Sequence, residues 1–410
     1  MRVKKTYLFS KIPVVMCRMP HLHSVVTGIW IKHGSRDEPF EKNGISHFIE
    51  HLFFQGTKNR DAKAISFAID SLGGDINAFT SREFTVLYVK ILDKCLEKGI
   101  ELLCDIFSNP IFPQEEIEKE RSVILDELRT INDTPDELIH DLFMEKAFPD
   151  GLGKPILGKE NTISAITRED IINFHEKYYH SSNCIISCAG NFNEDMLLNM
   201  LERNLCLRDF PVRKQVIPSV FLPSINVYEK ELNEVHLSVG METFPFTNPL
   251  RYALTILNCI IGGSVSSRLF QEIREKRGLV YNIFSYVSFY LDTGIFDIYT
   301  ACSRNNLNKI LELIMKIIKE IPENIKEEEI ERAKIQTISQ LLFSSESPAS
   351  VMHNLAYNEL YYNEPYEVKE HIKKFKSIKT TEIIEVASIL KEKLHAITVL
   401  GPITRKDIDF

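Results

Sequence analysis

The chain has 410 residues, 44% hydrophobic and 26% charged, the balance of a globular protein rather than a disordered or fibrous one. A net charge of −8 and a pI near 5.9 exclude the basic excess of a phosphate-binding surface, so no nucleic acid is expected as a partner. No apolar run approaches the roughly 18 residues of a membrane span, and Lys11 and Pro13 interrupt the early apolar stretch, so neither a membrane segment nor a signal peptide is expected. Eight scattered cysteines with no Cys-x-x-Cys pair fit free thiols in a reducing compartment, which points to the cytoplasm.

Residues 1–17 read as a first strand and turn, and the β-rich stretch 24–32 as a central strand. His33 lies in the polar turn that follows and receives no role. Asn43-Gly44 then leads into a helix over His47-Phe48-Ile49-Glu50-His51. On a helix, residues at i, i+3 and i+4 share a face, so His47, Glu50 and His51 project together. Ile45, Phe48, Ile49, Leu52 and Phe53 occupy the opposite, core-facing side. Two imidazoles beside a carboxylate suit one zinc ion with a base next to it, and the string is His-Glu-x-x-His run backwards. Chance alone produces such a string in roughly 3% of chains this long, and a solvated face with two ordinary histidines is the alternative. A catalytic zinc also needs a third protein ligand and an open coordination position.

A second helix is expected over about 61–72, stopping at Gly73-Gly74. Two strands follow at 75–80 and 84–90, then a helix near 93–107. After Pro110 and Pro113 another helix runs from about Gln114 to Ile131 with the apolar stripe Ile117, Ile124, Leu128 and Ile131. Glu120 and Glu127 lie seven apart beside that stripe, where a partly desolvated carboxylate is costly unless a cation meets it. For Glu120 a flanking salt bridge competes evenly with function. Glu127 gains a purpose from the missing third ligand.

These residues together resemble the zinc signature of the pitrilysin and mitochondrial processing peptidase family: His47-x-x-Glu50-His51, then Glu127 after 75 intervening residues. Gly44-Ile45-Ser46-His47, Phe54-Gln55-Gly56-Thr57, the stretch from Gly73 to Glu83 and the stretch from Glu120 to Glu127 match as well, with Asp126 where the family has Glu. Residues 155–158 and 178–191 also look like the family's first half. The resemblance implies that His47, His51 and Glu127 hold one zinc ion per chain, that Glu50 is the general base, and that Glu120 orients a ligand. It also implies that Asn77, Ala78, Phe79 and Thr80 form the edge strand to which an extended substrate adds. His175 and His180 are better explained as helix-end and loop residues than as a second metal site, and Cys184 and Cys188 as one buried face of a strand.

Three prolines between residues 208 and 224 mark a break, giving domains 1–212 and 225–410 joined by a linker over 213–224. The second half repeats the order of elements of the first, with the stretch 278–283 standing where 74–79 stands. Its helix over 250–261 has neither His nor Glu. An α+β fold is therefore expected: two homologous α/β-sandwich domains, each a mixed, largely antiparallel sheet packed by helices, duplicated within the chain, the second free of metal. Arg274 and Tyr281 resemble the family's element that completes the active site from the non-zinc half, where they suit hydrogen bonds to a carbonyl or its oxyanion. The Gly262-Gly263 loop either touches substrate or makes a tight turn. The expected function is a zinc-dependent endopeptidase acting on extended or unfolded polypeptides, as a homodimer with a composite site. A non-catalytic, peptidase-like binding subunit is the competing class.

Overall fold

A computed structural model describes residues 2–208, 218–393 and 395–408. The first half begins with β1 (Val3–Leu8), β2 (Ile12–Arg18), β3 (Ser24–Ile31), α1 (Ile45–Leu52) and α2 (Ala62–Leu72). It continues through β4 (Asp75–Thr80), β5 (Thr85–Leu92), α3 (Leu96–Ser108), α4 (Gln114–Asn132) and α5 (Pro135–Ala147). It closes with α6 (Glu160–Ala165), α7 (Arg168–Tyr178), β6 (Cys184–Gly190) and α8 (Glu194–Asn204). The second half opens with β7 (Ile225–Glu229), β8 (Val235–Thr243) and α9 (Arg251–Ile261), a π-helical turn over Phe270–Glu275, then β9 (Val280–Phe289) and β10 (Gly294–Cys302). Five helices follow: α10 (Leu307–Asn324), α11 (Glu327–Glu346), α12 (Pro348–Tyr362), α13 (Val368–Ser377) and α14 (Thr380–Glu392). The last strand is β11 (His395–Gly401).

Among the described residues these strands make two sheets. One has the order β1-β2-β6-β3-β5-β4, with β2 and β6 parallel and every other pair antiparallel. The other has the order β7-β11-β8-β10-β9, with β7 and β11 parallel and the rest antiparallel. Removing β1 leaves the same diagram twice, which is the expected duplication. In it β4 and β9 hold the same edge, each reached through an antiparallel neighbour. The sequence match between 74–79 and 278–283 falls on those two strands. The helix packed beside the edge is α1 in the first sheet and α9 in the second.

Each half has its own apolar core, built between the sheet and its helices. In the first, Ile45, Phe48, Ile49, Leu52 and Phe53 are all at most 1% exposed, so the predicted core side of the motif helix is fully committed. Each such side chain contributes about 1.5–3 kcal/mol by leaving water. In the second, Leu254, Ile256, Leu257 and Ile261 of α9 play that part with no exposure.

Compact units cross the boundary drawn from sequence. The first comprises residues 1–130, 154–217 and 343–367; the second comprises 131–153, 218–342 and 368–410. The division at 212 and 225 thus separates the sheets but misassigns two helices. The α5 helix covers β8 and β11 of the second sheet, and α12 covers β2, β3 and β6 of the first. A sheet apolar on both faces needs a layer on each, and either half of the chain can supply it. Glycines admit the close approach. A Cβ on Gly240 of β8 would stand 2.2 Å from Phe143 Cζ of α5, and one on Gly28 of β3 would stand 2.9 Å from Met352 Sδ of α12. Residues 213–217 of the expected linker lie outside the described residues, and 218–224 carry no helix or strand.

Candidate metal centre

The α1 helix begins at Gly44, whose left-handed φ of 96° suits glycine, and ends against the 3-10 turn Phe53–Gln55. Its second face carries His47, Glu50 and His51, as the i, i+3, i+4 spacing requires. Opposite it, α4 starts after Pro113 and presents Glu120 and Glu127 two turns apart. Ile117 and Ile124 of α4 are buried without exposure and set which way those carboxylates point.

The metal-ligating atoms of His47, His51 and Glu127 all lie within 4.8 Å of one another. Glu127 Oε2 stands 3.7 Å from His47 Nε2 and 3.6 Å from His51 Nε2. Tetrahedral zinc ligands at about 2.0–2.2 Å from the ion stand roughly 3.3–3.6 Å apart, and the two separations from Glu127 lie close to that range, so the donor set suits a zinc ion. Glu127 Oε2 is buried and has no hydrogen-bond partner, and the same holds for His47 Nδ1 and Glu50 Oε2. Buried polar atoms left unsatisfied each cost free energy, so a cluster of them is the mark of a site built for something else to fill.

Electrostatics carry the same message. Burial and the neighbouring His51 hold the His47 imidazole well below its ordinary value, with Glu127 opposing. For His51, burial is outweighed by the hydrogen bond with Glu120 and by the nearby Glu127 carboxylate, which together lift it to about 9. Glu127 is lowered chiefly by His51, against burial. Burial raises the Glu50 carboxyl, while hydrogen bonding to Thr80 and the charge on His51 pull the other way.

Glu120 Oε2 stands 2.9 Å from His51 Nδ1, and its other oxygen accepts from Gln55 Nε2 at 2.8 Å. Glu120 thus meets His51 Nδ1 on the side of the ring away from Nε2, the nitrogen that faces Glu127. Sequence reasoning gave Gln55 no role. The signal available was its place in Phe54-Gln55-Gly56-Thr57, just past the helix, and nothing local says that its amide turns toward α4.

The β4 strand is an edge, paired on one side with β5. Asn77 is exposed and Phe79 half-buried on one face, while Ala78 and Thr80 are buried on the face toward α1. Asn77 Oδ1 accepts from the Ala78 amide at 2.8 Å. Thr80 reaches Glu50, so its side chain belongs to the setting of the base rather than to a surface.

Arg274 and Tyr281 belong to the second unit. The Arg274 guanidinium lies 4.5 Å from the Phe270 ring centroid and 5.5 Å from that of Tyr281, and Tyr281 is 85% exposed. A large aromatic so exposed, beside a cation it does not bury, is free to meet a ligand. The amides of Gly262 and Gly263 both donate to the Asn258 carbonyl, at 2.9 and 2.8 Å, which makes this loop the tight turn that closes α9. Of the histidines set aside, His175 is partly buried, with its ring against Phe112 and Tyr179, and His180 is buried beside β6; neither joins a cluster of metal-ligating groups among the described residues.

The sequence profile described as Insulinase (Peptidase family M16) matches residues 14–160, and that of the Peptidase M16 inactive domain matches residues 165–337. An uncharacterized zinc protease of Rickettsia felis is 35% identical over 406 residues, covering 98% of each chain. The uncharacterized zinc protease YmxG of Bacillus subtilis is 32% identical over 402 residues, again covering 98% of each. A crystal structure of a protease from Helicobacter pylori superposes with a TM-score of 0.89 at 23% identity, covering 98% of this chain and 100% of that one. The M16 inactive domain from Pseudomonas fluorescens superposes at 0.90 with 18% identity, covering 98% of each. These two support the fold alone. With a His-His-Glu cluster in its first half and matches spanning its length, the chain belongs to the M16 family of peptidases, the family that includes insulinase and pitrilysin.

Proposed function

We propose that this protein is a zinc-dependent endopeptidase that cleaves extended or unfolded polypeptides, with one zinc ion per chain. The observation that carries it is the set of three ligand atoms within 4.8 Å, with an unpartnered Glu50 carboxylate oxygen on the same helix. His47, His51 and Glu127 would hold the metal. Zinc, when bound, supplies Lewis acidity, which acidifies water toward a pKa near 7 and polarises a carbonyl.

The chain's own residues do the rest. Glu50 takes a proton from the attacking water as its oxygen bonds to the scissile carbon. Glu50 then returns that proton to the amine nitrogen as the C–N bond breaks. A carboxyl raised by burial suits both roles near neutral pH. Glu120 and Gln55 keep His51 turned toward Glu127. The free edge of β4 takes substrate as an added strand, which demands extension more than sequence. In a homodimer, Arg274 and Tyr281 of one protomer bond the substrate carbonyl or its oxyanion at the partner's zinc. The free and mostly buried cysteines support work in a reducing compartment such as the cytoplasm.

Cleavage of a fluorogenic extended peptide tests the reading. Activity should vanish with chelator, return with zinc, and fall on the order of 10²–10⁴-fold in Glu50→Gln. A Glu50→Gln chain as active as the parent rejects this mechanism. A parent that binds the peptide without cleaving it supports the binding-subunit class instead. Mixing Glu50→Gln chains with Tyr281→Phe chains should restore activity if the site is shared between protomers, and no restoration rejects the sharing.

A further inference from the structure

We propose that Glu38 is a positioning residue of the metal centre: its buried carboxylate caps the N-terminus of α1 from outside the helix and sets how His47, Glu50 and His51 are turned. This rests on the reading of the site given above, and it adds a residue that touches neither ligand nor base. Gly44 at the N-cap of α1 has no side chain with which to cap, and the helix is eight residues long, so its own hydrogen bonds define its axis and rotation poorly. Glu38 supplies what is missing. Its Oε2 accepts from the Gly44 amide at 2.7 Å and its Oε1 from the Ser46 amide at 2.8 Å, the residue immediately before His47. Asn43 Nδ2 also donates to Oε2, at 2.9 Å, and reaches the Pro155 carbonyl at the same distance.

Glu38 is 2% exposed, and a carboxylate is rarely so buried unless its hydrogen bonds matter. The loop around it is held as firmly. Lys154 Nζ donates to the carbonyls of Arg36 and Glu38, and lies 4.3 Å over the Phe40 ring. Thr162 Oγ1 donates to the Asn43 carbonyl at 2.7 Å. A Cβ on Gly44 would meet the Leu157 carbonyl at 2.6 Å, and one on Gly158 would meet that of Asn43 at 2.4 Å. The stretch 154–162, which has no part in the chemistry, thus forms a socket around the start of the motif helix. The metal-free helix α9 does without such a device: Asn248, its near neighbour in sequence, accepts from the Leu250 amide. A carboxylate at a helix N-terminus also offsets the macrodipole, but a surface Asp at the N-cap would do that as well. What the distant, buried Glu38 adds is a fixed rotation, and a metal site or a proton transfer displaced by about 1 Å loses on the order of 100-fold in rate.

The test uses the full chain with Glu38→Gln, which keeps the shape but offers one acceptor oxygen where two are used, and Glu38→Asp, which retracts both. Amide hydrogen exchange over residues 45–52 is measured after chelator treatment, alongside kcat, KM and zinc affinity by chelator competition. Glu38→Gln should exchange faster over 45–52 while exchange at α9 stays as in the parent. Its kcat should fall at least about tenfold with KM within about twofold, and its zinc affinity should weaken by about tenfold. Unchanged exchange over 45–52 overturns the proposal whatever the activity. A loss of folded protein with kcat per folded chain unchanged also overturns it, because a merely structural role does that. If the parent itself neither binds zinc nor cleaves peptide, the zinc-peptidase reading fails, and the exchange result still decides whether Glu38 sets the helix.

Discussion

The helices α1 and α9 occupy the same place in two copies of one diagram, yet one is a site and the other is core. On α9, Tyr252, Ala253, Leu254, Ile256, Leu257, Ile260 and Ile261 are all buried, so it is spent almost wholly on packing. On α1 the apolar face packs equally well, but the second face leaves buried nitrogen and oxygen atoms without partners. The difference teaches that this fold does not itself create chemistry. It provides a helix beside a sheet edge, and a few polar substitutions, each costly in isolation, turn that helix into a metal face once α4 brings Glu120 and Glu127 to it. The second unit carries an exposed Tyr281 on the strand matching β4, with Arg274 of the preceding π-helical turn beside its ring.

That comparison can be broken or sharpened. The largest effect should come from His51→Ala, which removes a ligand and the group that Glu120 positions. The dialysed protein should retain no stoichiometric zinc by atomic absorption, and its peptidase activity should fall to background. Retained zinc would mean that the metal sits elsewhere. Glu120→Ala should leave the ligands present but weaken zinc affinity by about 10–100-fold in chelator competition. Arg274→Ala should leave that affinity unchanged while lowering kcat, and a matching loss of zinc would collapse the division of labour between the units.

Packing of the exchanged helices gives a smaller, separable effect. Gly240→Ala drives a Cβ into the rigid Phe143 ring and should cost about 1–3 kcal/mol in denaturant unfolding, relieved by Phe143→Leu. Gly28→Ala meets the flexible end of Met352 at 2.9 Å and the Trp30 indole nitrogen at 3.0 Å, and should cost less than Gly240→Ala because Met352 can move aside. Equal costs would show that the stiffness of the facing side chain does not set the penalty. The smallest effect concerns acid. Burial holds His175 down to about 4, below its ordinary 6.5, so the folded state keeps it neutral. The unfolded chain then binds the extra proton, and the stability due to His175 is complete above pH 6.5 and lost as pH falls toward 4. About 1–2 kcal/mol should disappear between pH 8 and pH 5, and His175→Gln should flatten that part of the melting-temperature profile. A profile as steep in the variant would place the acid sensitivity in another group.

Much of this was legible in the chain before any coordinates. The period of α1 announced both its faces, because side-chain direction in a helix follows from spacing alone. The stripe on α4 placed Glu120 and Glu127 beside the core for the same reason. Asp75 to Thr80 read as a strand, and the structure makes it an edge. The bond from Gln55 to Glu120 was not legible, nor was the meeting of Thr80 with Glu50, since these pairs join separate elements whose distance in space no local pattern encodes. The exchanged helices were missed for a related reason: an amphipathic helix declares that it has an apolar face but not which sheet will cover it.

The sequence by itself determined the elements around the motif, the two faces of its helix, the duplication, and which half could hold a metal. These follow from periodicity and from the chemistry of single side chains. The tertiary structure decided the rest: that His47, His51 and Glu127 converge to within 4.8 Å, that Glu120 meets His51, and that α5 and α12 change sides. Convergence depends on packing between residues far apart in the chain, and only the folded core fixes which of many possible contacts is made.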